Sequence, residues 1–381
     1  MNTCRKAGGR GASWFIPFFL SAMLSFACST FLGAHLASGL PASSAPTARE
    51  LSPSPQSPGS EPSSPSLDHA RSLFEQGTVF LAERSIRQFL HEHPDSAEAH
   101  YLLGHILFRE IQAQASVEKD RPPPQESIDG ITILGTNFAD STTREEKAKA
   151  SLAEFTAGAK IHTPSASDLK TVALDYVLLG DYPDADKWLT KMLEWTPNDS
   201  EGWYLLGRAK YNENRFAEAI SAFQKSLTLA PADAKTEDNL GLSFAGLGRN
   251  EEAADAYKKA VAWQERSLQK DPGPYIDMGS LLLDQSKNEE AIPYLRRAVE
   301  ISSTYYKAHE LLGQAHSRLN QLPLAQSELE KAISLAPNTA SLHCMLGPVY
   351  RKQGFSEKAK SEFELCSSLN DTHTTPLVSH P

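Results

Sequence analysis

The chain has 381 residues, enough for two average domains or one elongated array of smaller units. Its formal charge is −10; the first 40 residues hold Arg5, Lys6 and Arg10 and no acid, so the remainder carries 34 basic against 47 acidic residues. That balance argues against a nucleic-acid surface, which needs clustered positive charge. Four cysteines exclude a disulfide-built miniprotein, and 40% apolar with 22% charged residues excludes wholesale disorder and a polytopic membrane protein.

Residues 1–40 read as a signal peptide or membrane anchor. Three positive charges precede a stretch from Trp14 to Leu40 without any charge, and Ile16–Ala27 (IPFFLSAMLSFA) has the length of a signal-peptide apolar core. Three fates stay open. Small residues at Ser25 and Ala27 suit cleavage before Cys28, with Ala37-Ser38-Gly39 a second candidate. Cys28 is a candidate for lipidation, although the leucine such a motif wants sits one place too far away, at Leu24, with Phe26 intruding. Alternatively the run is retained as a single span, for which about 20 apolar residues suffice. Each fate makes the protein exported or membrane-anchored, on the periplasmic side of a bacterial envelope. Residues 41–66 follow as a disordered linker: 41–65 hold seven prolines and eight serines and almost nothing to bury. At about 3.1 Å per residue such a stalk reaches roughly 75 Å.

From Leu67 onward the chain repeats. Glycines at 207, 241, 279, 313 and 347 are spaced 34, 38, 34 and 34 residues apart, and an alanine follows each by twelve residues. A fixed period in this range signals a solenoid of helix pairs, with the small residues where the helices cross. Around 63–96 only the later half of a unit is clear, with Gly77, Ala82, Phe89 and Pro94. The unit opening at Ala97 has Leu103-Gly104, but its matching alanine is expected at Ala148. Its first helix should run to about Lys119 and stop at Pro122-Pro123-Pro124. Helix should resume where Thr142 and Glu145 form a capping box. The insertion of about 109–143 either carries binding or is disordered; both readings stay open. Regular units occupy 166–199, 200–233, 234–271, 272–305, 306–339 and 340–373. Unit 234–271 is four residues longer, and its second helix is expected to run about two turns further.

These units closely resemble the tetratricopeptide repeat. Trp203, Leu206, Gly207, Ala219, Phe223 and Pro231 stand at that family's spacing, and Tyr176, Gly180, Tyr182, Ala185 and Pro197 do so one unit earlier. Unit 272–305 has Met278-Gly279, Ala291 and Ala298, unit 306–339 has Leu312-Gly313, Ala325 and Pro337, and the last unit has Leu346-Gly347, Tyr350, Ala359 and Phe363. The resemblance implies an all-α fold, a right-handed α-solenoid of about seven to eight repeats over 67–373, with a flexible tail at 374–381. One second-helix position holds Leu90, Leu193, Leu227, Val261, Val299 and Ile333, but Ser367 in the last unit, so the final repeat is expected to cap itself.

The search for chemistry is short. No P-loop, Gly-x-Gly-x-x-Gly, His-Glu-x-x-His or Gly-x-Ser-x-Gly occurs. His91, His93, His100 and His105 are better read as helix-end and solenoid residues than as metal ligands. Cys344 and Cys366 are expected at similar heights on paired helices, with free, buried thiols favoured over a disulfide. The repeats consume nearly the whole chain, so the expectation is no enzyme, no catalytic residue, no metal and no cofactor. By the resemblance, the first helix of each repeat lines a concave groove that receives a peptide or helix. Its exposed inner positions would include Lys170, Tyr204, Arg208, Tyr211, Asp238, Asn239, Glu310, Gln314 and Arg318. The family's carboxylate clamp is not supported, because Leu174 stands where its asparagine should be. Tyr204, Arg208 and Tyr211, one turn apart, form the best candidate anchor, with Asn239, Gln314 and Arg318 beside it; the alternative is that Tyr211 only packs between repeats. Two functions compete: a protein-interaction scaffold in envelope assembly, or a ligand-binding or regulatory module for a cell-envelope enzyme or glycan.

Overall fold

The computed structural model describes residues 66–119 and 137–373, with side chains over 66–113 and 144–370. The leader, nearly all of the linker, the middle of the insertion and the tail lie outside the described residues. Those described form sixteen helices and no strand, an α-solenoid. The chain divides after Pro164 into two compact units.

The first unit holds α1 (Leu67–Glu75), α2 (Val79–Glu92), α3 (Ala97–Lys119) and α4 (Asn137–Ile161). Ser66 starts α1 by accepting from the amide of His69 at 3.1 Å. Ala70, Ala82, Ile86, Ala99, Leu103 and Ile106 are fully buried between the helices. The α3–α4 pair differs from its expected form in two respects. First, α4 begins at Asn137, ahead of Thr142, so Thr142 and Glu145 lie inside the helix and do not start it. Second, a Cβ on Gly104 would stand 2.7 Å from Phe155, the contact that Gly207 makes with Phe223 sixteen positions on. Counting back four residues from that aromatic gives Ala219 in one case and Ser151 in the other. Ser151 therefore occupies the crossing, fully buried, with its hydroxyl donating to the Gly104 carbonyl at 3.0 Å; Ala148 is buried one turn earlier. Helix α3 is described as far as Lys119, and the prolines expected to stop it lie outside the described residues. Both helices are longer than those of a regular pair: α3 has 23 residues and α4 25, against 13 and 14 in α7–α8.

The second unit stacks six pairs. They are α5 (Ala166–Leu178) with α6 (Tyr182–Trp195), α7 (Ser200–Asn212) with α8 (Phe216–Leu229), and α9 (Ala234–Gly246) with α10 (Asn250–Arg266). Then come α11 (Gly273–Asp284) with α12 (Asn288–Ile301), α13 (Tyr306–Arg318) with α14 (Leu322–Leu335), and α15 (Ala340–Lys352) with α16 (Ser356–His373). Within a pair, the first-helix glycine is pressed against a large side chain of the second: a Cβ on Gly241 would lie 2.5 Å from Tyr257, and one on Gly313 2.6 Å from Leu329. Ala219, Ala253, Ala291 and Ala325 are fully buried at the same crossings.

Each pair turns through one residue with left-handed backbone. These are Gly180, Asn214, Gly248, Ser286, Asn320 and Gly354, with φ between 56° and 87°. Glycine and asparagine suit that region; serine does not. Ser286→Gly is therefore expected to stabilise the protein by about 0.5–1 kcal/mol, the left-handed penalty offset in part by the freer unfolded chain. Urea denaturation of the two proteins measures it, and an unchanged midpoint counts against strain at this turn.

Successive pairs are tied by ring donors at one recurring position. Trp203 donates from Nε1 to the Pro197 carbonyl at 2.9 Å. His309 and His343 hold the same place: Nε2 meets the carbonyls of Ser303 (3.2 Å) and Pro337 (2.8 Å), while Nδ1 lies 2.7 Å from Glu328 and Glu362 respectively. In the first unit His100 does likewise with Pro94 and Glu154. His105 packs edge-on against Phe155 and His93 against Phe89, so these rings are joints and packing groups.

Two further expectations need correction. The longer repeat does not extend α10 by two turns: α10 has 17 residues against 14 in α8 and α12, and the remaining length makes a loop at 267–272. That loop is held by Gln264 donating to the Gln269 carbonyl and by Lys270 donating back to the carbonyls of Gln264 and Glu265, at 2.7–2.9 Å. Cys344 and Cys366, expected as buried thiols, are half-buried and joined in a disulfide with Cα atoms 5.1 Å apart. Helix pairing brings them to one height, and their facing Cβ atoms do the rest. On the outer side of this last pair Lys360 and Ser367 are exposed.

Candidate functional site: the inner face of the second unit

In the second unit the first helices touch one another in series, α7 to α9 to α11 to α13 to α15, while the second helices do not approach one another to that extent. The first helices are therefore crowded on the inside of the stack, and their common face is the candidate site.

The residues expected on that face are mostly engaged. Lys170 reaches across to the next repeat, 3.2 Å from Asp199 and 2.6 Å from Glu201. Tyr204 accepts from the Arg208 guanidinium at 3.0 Å, so that pair is brought together as expected. Arg208, however, is buried, as are Asp238 and Glu310, which corrects their reading as exposed groove positions. Asn239 bonds back to the carbonyl of Lys235 on its own helix. Arg318 donates to the Leu283 carbonyl at 2.6 Å and so closes the end of α11. Glu310 takes an ion pair from Lys307 at 2.9 Å. Gln314 is half-buried on α13. Tyr211 is half-buried at the end of α7, its ring edge on Phe216.

Beside Tyr211 lies a group of carboxylates and tyrosines that the sequence reading had not assembled. Asp238 on α9 and Asp277 on α11 act on each other's titration. Asp271, on the loop before α11, accepts from the amide of Gly273 at 2.9 Å. A Cβ on Gly273 would lie 3.2 Å from Asp271 and 3.7 Å from Asp238, so the glycine sits between the two carboxylates. Tyr211, Tyr257 and Tyr305 each have the hydroxyl raised, first by burial and then by the Asp277 charge. Asp238 and Tyr257 are buried, whereas Asp271, Asp277, Tyr211 and Tyr305 are half-buried. A signal was present in the sequence: Asp277 occupies the position filled by Leu205, Leu311 and Met345 in other repeats.

Burial raises Asp277 above the ordinary carboxylate range, and burial together with the neighbouring Asp277 and Asp271 charges raises Asp238 well above it. The unfolded chain releases these protons near pH 4, while the folded protein keeps them to higher pH. Stability is thus greatest below about pH 4 for this pair and falls as pH rises through the folded values. Asp277→Asn removes that loss. The variant is expected to exceed the parent by on the order of 1–3 kcal/mol at pH 8 and to show no gain at pH 4. Urea melts at the two pH values measure this; an equal gain at both would mean the pair does not hold its protons.

Among the described residues no three His, Cys, Asp or Glu side chains are arranged to hold a metal ion, and no helix is long and apolar enough to cross a membrane.

Comparison with known proteins places this architecture. Family models described as tetratricopeptide repeat match residues 67–117, 200–233, 238–267 and 282–346. The chain is 25% identical over 195 residues to human protein O-mannosyl-transferase TMTC3, covering 47% of this chain and 21% of that protein. It is 38% identical over 73 residues to the peroxisomal targeting signal receptor of Kluyveromyces lactis, covering 19% of this chain and 13% of the receptor. The chain thus spans about a fifth or less of these curated relatives. Among solved structures, a tetratricopeptide repeat protein from Parabacteroides merdae superposes with a TM-score of 0.50 at 17% identity, over 74% of this chain and 96% of that one. That likeness shows the fold.

Proposed function

Because the chain belongs to the tetratricopeptide repeat family, we propose that it is a non-enzymatic scaffold that binds a segment of another protein along the inner face of its second unit. The observation that carries this reading is the line of touching first helices, whose shared face holds half-buried tyrosines and polar side chains in place of a closed apolar core. Side chains of that kind, partly sheltered and rigidly held, are the anchors that dominate interfaces. A relative named for receiving a targeting signal supports the same mode, over the stretch it shares. The transferase activity in another relative's name is not carried over, since the match covers 21% of that protein.

The charged start, apolar core and Pro/Ser-rich stalk at 1–66 support export or tethering, with the array presented on the periplasmic side of an envelope and engaged in its assembly. The groove is tested by capturing partners from envelope extracts with the full chain and with a Tyr211→Ala/Gln314→Ala variant. A partner held by the parent and lost by the variant is the expected result; equal capture by both places binding elsewhere. Export is tested by a reporter fused after residue 66, and a reporter that stays cytosolic overturns that part.

A further inference from the structure

The joint between α8 and α9 departs from the others of the second unit. At the recurring position Trp203, His309 and His343 each present a ring nitrogen to the carbonyl six residues earlier, and Tyr275 keeps a ring there as well. The equivalent residue at this joint is Glu237, in the first turn of α9, and six residues earlier stands Pro231. A carboxylate has no N–H to give and fills less space than a ring. The connection is altered too. Ala232 has left-handed backbone (φ 72°), which its counterparts Asn198 and Asn338 do not adopt.

A cleft of about 430 Å³ lies at this joint, between the ends of α8 and α10 and the start of α9. Leu227, Pro231 and Trp263 line it with apolar surface, and Glu237, Lys259 and Arg266 add charge. Its volume falls in the range of ligand sites. Glu237 is 9% exposed, yet its Oε2 has no hydrogen-bond partner. A buried acceptor left in that state costs free energy, which a donor arriving in the cleft would recover. Lys259 and Arg266 are exposed, and neither makes an ion pair among the described residues. Arg266 lies over the Trp263 ring, 5.0 Å from its centre, which keeps the guanidinium at the cleft. In a chain of net charge −10, two cations without counter-charges at one cleft are complementary to an acidic group on whatever enters.

We propose that this cleft receives a tryptophan side chain of a partner protein, from a segment that carries an acidic residue beside the tryptophan. The indole supplies what the joint lacks, an aromatic ring with a donor-only N–H, for the Glu237 carboxylate or the Pro231 carbonyl. The preceding repeat shows the fit, since Trp203 gives its N–H to the matching Pro197 carbonyl at 2.9 Å. A histidine suits the place less well, because its second nitrogen also needs a partner. The joints of His309 and His343 supply one nineteen residues on, in Glu328 and Glu362. Here that residue is the buried Ala256, as it is the buried Ala222 at the Trp203 joint. The acidic neighbour pairs with Lys259 or Arg266.

The test is calorimetry on the full chain at pH 7. The probes are acetylated, amidated peptides Ser-Asp-X-Asp-Ser, where X is tryptophan, 1-methyltryptophan, phenylalanine or histidine. The tryptophan peptide is expected to bind about tenfold more tightly than the 1-methyl peptide, which keeps the ring and loses the N–H. Exchanging its aspartates for asparagines should weaken it about threefold at low salt and change nothing in about 0.5 M sodium chloride. Glu237→Trp, which gives the joint its own ring, should fold and abolish binding. Lys259→Gln/Arg266→Gln, changed only at exposed positions, should bind the aspartate and asparagine peptides alike. Equal binding of the tryptophan and 1-methyl peptides, a histidine peptide that binds best, a tryptophan preference that survives Glu237→Trp, or flat titrations throughout overturns the proposal. If Glu237→Trp does not fold, the double variant decides, and an aspartate preference that persists in it is the overturning result. Partner capture along the inner face is expected to persist in both variants, so the two readings fail separately.

Discussion

Gly207→Val is expected to destabilise the second unit by on the order of 3 kcal/mol, measured by urea denaturation, because its new methyl groups have nowhere to go. A Cβ at this position would already stand 2.6 Å from the Phe223 ring, and that ring is fully buried. The phenyl cannot swing outward without opening the crossing of α7 and α8, so the cost is that of an overpacked core. Gly207→Ala discriminates this cause from helix propensity. In an exposed helix alanine gains about 1 kcal/mol over glycine. Here the clash opposes that gain, and the alanine variant is expected to be less stable than the parent. A stabilised alanine variant would mean that the helices cross more loosely than the structure has it.

The second large effect is expected at the last repeat. The Cys344–Cys366 bond closes a loop with a separation of 22 residues, and restricting the unfolded chain by a loop of that size contributes about 3 kcal/mol. Reduction, or replacement of both cysteines by alanine, should lower the stability of α15 and α16 by that amount while leaving α7 to α12 nearly untouched, since repeats communicate through their neighbours. Hydrogen exchange resolved by peptide reads the difference. Uniform loss of protection across the second unit would show that the array unfolds as one body.

The repeat itself was legible because its cause is steric and recurs. Only a small residue fits where two helices cross, so Gly207, Gly241, Gly279, Gly313 and Gly347 mark the units at nearly constant spacing. The legibility failed where an identity depends on which residue faces which. Ser151 holds the place expected of Ala148 because it, and not Ala148, stands four residues before the aromatic that packs on Gly104, and counting along the chain cannot reveal which aromatic that is. Helix position alone puts Arg208 on the exposed face, but its long side chain lies back along Tyr204. The cysteine pair required knowing that two helices present Cβ atoms toward each other. Asp277 was visible as an acid where Leu205, Leu311 and Met345 stand in other repeats, although the adjacent repeat has Asn239 there.

The neighbour-only pattern of helix contacts has a consequence for how the chain is made. No helix of the second unit depends on a partner more than one repeat away for its principal packing, so the search for native contacts is local and loop closure is short at every step. A chain delivered from its N-terminal end can finish α5 and α6 while α15 has yet to appear, and each completed repeat offers the next a ready template. For a chain proposed to be threaded through a membrane before it folds, such piecewise completion keeps the exposed apolar surface small at any moment. The final pair alone must wait for a chemical event, oxidation of Cys344 and Cys366, before it reaches its full stability.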